Sequence, residues 1–206
     1  QLKNPCLRVH CTSWRALSHE MSLFDSTTQL DSSKVRSDGK TIHTFTMSSD
    51  WSISQIPNGG YMAAAAISAA RNGGISFRDP LVVHGHYVKK ADPAVETTIE
   101  TRVVTENRTF ATVQVDMSQT GKLRSTYLMT FGSLAESEGP TYTGPNSLVA
   151  PSLPPPSMCI NADEPMRQLG GGNIFTIYDN IQVRIPETDA SAGLFNNPES
   201  PALGDN

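Results

Sequence analysis

The chain has little cysteine. Its 206 residues hold three, Cys6, Cys11 and Cys159. An odd count without framework spacing argues against a disulfide scaffold and for free thiols in a reducing compartment. Cys6, His10 and Cys11 lie close together, but no second ligand pair follows, so no zinc site is expected. Long apolar runs are missing too: none approaches the ~18 residues that a membrane-crossing helix needs. Positive charge is scarce, with 16 Lys and Arg against 20 Asp and Glu, a net charge of −4 and a pI near 5.7. That balance argues against a nucleic-acid surface. The chain lies toward the polar end for a globular protein, with 37% hydrophobic residues and a mean hydropathy of −0.30. Its 14 prolines, gathered largely in the last third, account for part of this. The length still suffices for a real core, in one large domain or in one domain plus part of another.

What is present is concentrated in one stretch. Asp50-Trp51-Ser52-Ile53-Ser54-Gln55-Ile56-Pro57-Asn58-Gly59-Gly60-Tyr61-Met62 runs into Ala63-Ala64-Ala65-Ala66-Ile67. It reads as a loop, a glycine-rich helix start and a helix of small apolar residues. Asn58 is suited to be the N-cap, and two glycines let the backbone approach another object closely. The free N–H groups and positive dipole end then face that object. The Ala run has no polar face, so residues 58–72 are expected to be a buried helix, with Ala64, Ala65 and Ile67 nearly inaccessible. Asn72-Gly73-Gly74 is expected to end it in a left-handed cap.

Around this helix the pattern has period two. Residues 41–47 form a first strand, with Phe45 and Met47 on one face. Leu81 to Val88 forms a second, after the break at Arg78-Asp79-Pro80. In the next strand Val95, Thr97, Ile99, Thr101 and Val103 face one way. Ala111, Val113, Val115 and Met117 follow in another, then Leu123, Tyr127, Met129 and Phe131 in the last. Short polar turns at Glu106-Asn107-Arg108 and Thr120-Gly121 join these into an antiparallel meander with one buried face. A polar segment, Asp25 to Lys40, precedes the first strand, and residues 1–20 show no clean helical or strand period. A sheet wrapped around one hydrophobic helix satisfies the whole order, because helix and inner sheet face both need cover. The expected class is α+β.

Several of these motifs, in this order, resemble the thioesterase-like superfamily of hotdog folds. They are Trp51 with Pro57-Asn58-Gly59-Gly60-Tyr61 and the Ala-rich helix, the strand ending in Tyr87-Val88-Lys89-Lys90-Ala91, and the Asn107-Arg108-Thr109-Phe110-Ala111 and Gln119-Thr120-Gly121-Lys122 turns. Acyl-CoA thioesterase II-type double hotdogs are the most similar in style, although Lys90 stands where such relatives usually carry proline. The resemblance covers residues 40–135, and 173–185 loosely. It implies a hotdog fold, with the antiparallel sheet wrapped around the central helix. It also implies hydrolysis of fatty-acyl-CoA thioesters as the family reaction, with the groups that activate water mostly in the second hotdog.

The expected organisation is a partly disordered N-terminal extension over 1–39 and a hotdog domain over 40–135. A Pro/Gly-rich linker over 136–172 and the start of a truncated second hotdog with its tail over 173–206 follow. Residues 1–20, 136–156 and 195–206 are expected to be mobile. Residues 173–185 look like one strand or two short ones. Met21-Ser22-Leu23-Phe24-Asp25 looks like a natural start, preceded by a translation artefact or a transit-peptide fragment, the former favoured.

Gly59, Gly60 and Tyr61 can present N–H groups to a thioester oxygen, against the alternative of a tight helix–sheet contact. Asp50 is the candidate base or nucleophile, against a solvated or capping acid. His84 and His86 share a strand face and are candidate substrate contacts, against structural histidines at a sheet interface. Lys89, Lys90, Arg102 and Arg108 could meet CoA phosphates, against an ordinary solvated face. Asn58 is counted with the substrate-binding group. No metal or cofactor is expected. The expected partners are acyl-CoA or a related acyl thioester and a second copy paired through sheet edges. The expected compartment is the cytoplasm, with peroxisome and mitochondrion as open alternatives. A non-catalytic acyl-thioester-binding or assembly module and a hotdog dehydratase or hydratase are the alternative functions. The last calls for a histidine near the helix start, and the loop from Asp50 to Gly60 has none.

Overall fold

The computed structural model describes residues 21–135, 153–162 and 176–187. Its centre is a six-stranded antiparallel sheet and one long helix. The strands are β1 (Ser32–Val35), β2 (Thr41–Thr46), β5 (Asp79–Tyr87), β6 (Glu96–Glu106), β7 (Ala111–Gln119) and β8 (Lys122–Gly132). Two short pairs stand apart: β3 (Ser52–Ile53) with β4 (Ile56–Pro57), and β9 (Ile160–Asn161) with β10 (Arg184–Ile185). The sheet order is β1-β2-β6-β7-β8-β5. Helix α1 covers Leu23–Thr27, and α2 covers Gly59–Arg71.

The meander follows the expected pairings. Thr101 faces Val115, and Val115 faces Tyr127. Gln119 pairs with Lys122 across a two-residue turn. Thr120 and Gly121 both take positive φ, 50° and 73°, as a type I′ hairpin requires. Asn107 shapes the other turn: its Oδ1 accepts from the N–H groups of Thr109 and Phe110. The inner face of β2, β6, β7 and β8 is buried from Phe45 through Ile99, Val113 and Val115 to Met129 and Phe131. Helix α2 lies over β7, β6 and β5. This is the hotdog arrangement.

Three expectations differ in detail. First, α2 is buried on one face only. Tyr61, Met62, Ala65, Ala66, Ala69 and Ala70 are inside, while Ala64 and Ile67 are half-buried and line an open groove. Small residues all round a helix permit burial, but the sheet covers only the side it touches. Second, Leu123 points outward. The β7–β8 register shifts between Met117 and Ser118, so Met117 faces Ser125 while Ser118 faces Leu123. One extra residue in β8 moves Leu123 to the other face. Third, residues 176–185 hold little strand: Thr176–Asp179 is a 3-10 turn, and Arg184–Ile185 pairs with Ile160–Asn161 outside the main sheet.

The helix end is also shifted. Asn72 keeps a right-handed conformation, and Gly74 carries the positive φ of 93°. The polar stretch from Asp25 to Lys40 contains most of α1 and all of β1. Serine caps α1: Ser22 Oγ accepts from Asp25 N–H. The segments 1–20, 136–152 and 188–206, on which three mobility expectations fall in whole or in part, lie outside the described residues.

Candidate functional site

Helix α2 begins as its residues dictate. Asn58 is the N-cap in extended conformation, and its Oδ1 accepts from Gly60 N–H at 2.8 Å. The first helical bond runs from Met62 N–H to Asn58 C=O, 3.0 Å. Gly60 N–H is therefore engaged in the cap. The N–H groups of Gly59 and Tyr61 meet no acceptor among the described residues.

Gly59 is a close-approach glycine. A Cβ there would lie 3.1 Å from the Tyr87 hydroxyl. That hydroxyl donates to Gly59 C=O at 2.6 Å. The peptide between Gly59 and Gly60 is thus held at both ends, by Tyr87 from β5 and by Asn58 from the loop. The Tyr87 ring stands edge-on to Tyr127, centroids 5.9 Å apart. The Tyr127 ring in turn lies over Gly85, where a Cβ would come within 2.7 Å of it. The Tyr127 and Ser125 hydroxyls are buried without a partner among the described residues. Burial holds the Tyr127 phenol far above its usual range, so it stays protonated.

Tyr61 anchors rather than reaches out. It is buried, donates from its hydroxyl to Thr27 C=O at 2.7 Å and accepts from Ser48 N–H at 3.0 Å. Burial raises its pKa, the Ser48 contact opposes this, and the negative charge of Asp50 adds to the rise. The ring stacks on Trp51, 6.2 Å between centroids. The indole N–H donates to Thr27 Oγ1 at 2.9 Å.

Asp50 sits in the 3-10 turn Ser49–Trp51, half-buried. Ser48 caps the turn reciprocally: its Oγ accepts from Asp50 N–H and donates to the Asp50 carboxylate, 3.1 and 3.0 Å. The next carbonyl, that of Trp51, accepts from Asn58 N–H at 2.8 Å. The acid-bearing turn and the helix cap are therefore one hydrogen-bonded unit.

The histidines are elsewhere. His84 and His86 do share a face, with rings 5.0 Å apart, and both are exposed. Their cross-strand partners are Leu128 and Thr126, while Gly85 and Tyr87 oppose Tyr127 and Ser125 on the helix side. Directly opposed residues share a face. His84 and His86 are thus on the side of the sheet away from α2, and the structure does not bring them to the helix start. Arg102 is engaged by Gln114 through Nη2 at 2.8 Å. Lys89, Lys90 and Arg108 are exposed. Among the described residues no cluster of His, Cys, Asp or Glu could hold a metal ion. No helix there is long and apolar enough to cross a membrane.

Tyr87 stands in the sequence only as part of the Tyr87-Val88-Lys89-Lys90-Ala91 motif, and its place over the helix start is not legible there. Sequence reasoning missed His43, which is buried against Ile99 on the inner face. Its Nδ1 meets Ser33 Oγ at 2.7 Å and its Nε2 Thr101 Oγ1 at 3.4 Å.

Sheet order, central helix and capped helix start together define a hotdog protein. Residues 47–132 match the family model of the acyl-CoA thioesterase N-terminal domain. That segment is similar to the acyl-CoA thioesterase family of hotdog domains. Among solved structures, a candidate thioesterase II from Thermobifida fusca YX is 24% identical with a TM-score of 0.58, covering 69% of this chain and 50% of its own. A conserved protein of unknown function with a hot dog fold from Alicyclobacillus acidocaldarius is also 24% identical, with a TM-score of 0.54, covering 68% and 49%. At this identity the likeness is one of fold. The chain spans about half the length of both structures. No curated protein matches it.

Proposed function

We propose that the chain is the acyl-thioester-handling unit of an acyl-CoA thioesterase, with its site at the start of α2. The observation that carries this reading is the pair of unengaged N–H groups, Gly59 and Tyr61, at a helix terminus clamped by Asn58 and Tyr87. Fixed donors at a positive dipole end stabilise the oxyanion that forms when water adds to a thioester carbonyl. Asp50, hydrogen-bonded into the same loop, is the proposed base. It would take the proton from water as oxygen bonds to the carbonyl carbon, and would return it to the thiolate as the C–S bond breaks. His84 and His86 have no part in this chemistry, since they lie across the sheet.

The reading extends to assembly. Strand β5 is the sheet edge, and Leu81, Val82, Val83 and Tyr87 on it are exposed. An apolar edge of this length invites a further strand, and a second copy is the proposed occupant. Val82→Lys is expected to lower the sedimenting mass to that of a monomer. A wild type that already sediments as one removes the proposal.

The catalytic test is thiol release from a medium-chain acyl-CoA. A Cβ at Gly60 lies 3.0 Å from Asn58 Oδ1, so Gly60→Val displaces the cap and crowds the carbonyl. The expected loss is about 10²-fold, and Asp50→Asn is expected to lower the rate independently. If wild-type protein binds acyl-CoA without releasing thiol, the acyl-binding module is correct. If it does neither, the likeness to thioesterases is one of fold alone.

A further inference from the structure

The turn that carries Asp50 is too short to satisfy its own backbone. A three-residue 3-10 turn leaves most of its carbonyls without internal partners. Their partners come from far along the chain. Thr176 Oγ1 donates to Ser49 C=O at 2.6 Å and accepts from Ser52 N–H at 3.3 Å, with Ser52 C=O also within 3.3 Å. Asn180 Nδ2 donates to Asp50 C=O at 2.9 Å. Trp51 C=O, between them, is taken by Asn58 N–H. Every carbonyl from Ser49 to Ser52 thus lies within hydrogen-bonding reach of a donor, three of them from two side chains at least 124 residues away. Ile177 lies between those side chains, is buried, and joins the core cluster that contains Trp51. The same 3-10 turn that buries Ile177 presents Thr176, and Asn180 N–H closes onto Ile177 C=O at 3.0 Å.

We infer that Thr176 and Asn180 are positioning residues for the site, so that the segment Thr176–Asn180 sets the Asp50 turn and, through Trp51 and Asn58, the start of α2. This rests on the reading of Asp50 and the helix start as the acyl-thioester site. The site is then assembled from both ends of the described chain, and the hotdog unit of residues 47–132 is incomplete without the later segment. The arrangement is specific in its chemistry. Thr176 acts through one hydroxyl as donor and acceptor together, which serine reproduces and valine does not.

The test uses the full chain and compares Thr176→Val, Thr176→Ser and Asn180→Ala. Amide hydrogen exchange at Ser52 and Asn58 reads the positioning directly. Thr176→Val is expected to speed exchange at Ser52 about tenfold, the scale of one hydrogen bond, and Thr176→Ser to restore it. Thiol release from acyl-CoA reads the consequence. Thr176→Val and Asn180→Ala are expected to lower kcat about tenfold with KM within about twofold, because a displaced base weakens the transition state rather than binding. Unchanged exchange in both variants overturns the inference. Faster exchange with unchanged kcat overturns it as well, leaving a purely structural contact. If wild-type protein releases no thiol, the hydrolase reading fails while exchange still decides whether these two residues hold the turn.

Discussion

Two parts of one sheet have opposite fates. The meander β6–β7–β8 alternates apolar and polar residues, and its inner face is buried where α2 lies over it. Strand β5, paired to β8 along its length, is exposed at every residue from Leu81 to Tyr87. Both read from the sequence as ordinary strands. The difference is position. Helix α2 spans about four turns and covers the middle of the sheet, whereas β5 lies at its rim. There it meets the helix chiefly through Tyr87 on Gly59. The apolar side chains of β5 therefore contribute little to the isolated unit and stand ready for whatever pairs with the edge.

The sharpest way to break this comparison is truncation on each side of it. Phe131→Ala, at a fully buried position in β8, is expected to cost about 3–5 kcal/mol. Val83→Ala on β5 is expected to cost under about 1 kcal/mol in the same denaturant titration. Equal costs would mean that β5 is covered in solution. Gly85→Ala is the one β5 change expected to reach the core. Its methyl meets the Tyr127 ring at 2.7 Å, and overpacking of this kind costs about 1–3 kcal/mol by the same measurement.

Acid should act on the meander side. His43 is buried on the inner face of the sheet, and desolvation lowers its pKa below 6.5. A group with a depressed folded pKa favours the native state above its unfolded value. That contribution disappears as pH falls from about 6.5 toward the folded value, because the unfolded chain then binds the proton first. The unfolding midpoint is expected to drop between pH 7 and 5, and His43→Gln to flatten that slope. His84 and His86, exposed on the far side of β5, should leave it unchanged when replaced by Gln. The smallest effect is expected at Tyr127→Phe. The deleted hydroxyl has no partner in the described structure, so the stability change should lie within about 0.5 kcal/mol or favour the variant, as thermal unfolding would show.

Local chemistry made much of this legible. Asn58 ahead of two glycines marked the cap, Thr120-Gly121 marked the hairpin, and the period-two pattern of Thr97, Ile99, Thr101 and of Val113, Val115, Met117 marked the inner face. These signals depend on residues close in sequence. The face of Leu123 is not legible in the sequence, because a bulge changes it without changing its neighbours in the chain. An Ala-rich helix reads as buried all round because composition reports how closely a surface can approach, not how many surfaces do. His84 and His86 were rightly put on one face, but period two cannot say which face turns to the helix.

The sequence by itself thus determined the elements and their caps, the order of strand, helix and strands, and hence the hotdog class. Only the tertiary structure decided that Tyr87 fills the space over Gly59 and that Thr176 and Asn180 satisfy the backbone of the Asp50 turn. The physical reason is separation along the chain. Caps, turns and alternation arise between residues a few positions apart, whereas the contacts that shape the candidate site join residues 28 to 130 positions apart and exist only after the sheet has brought them together.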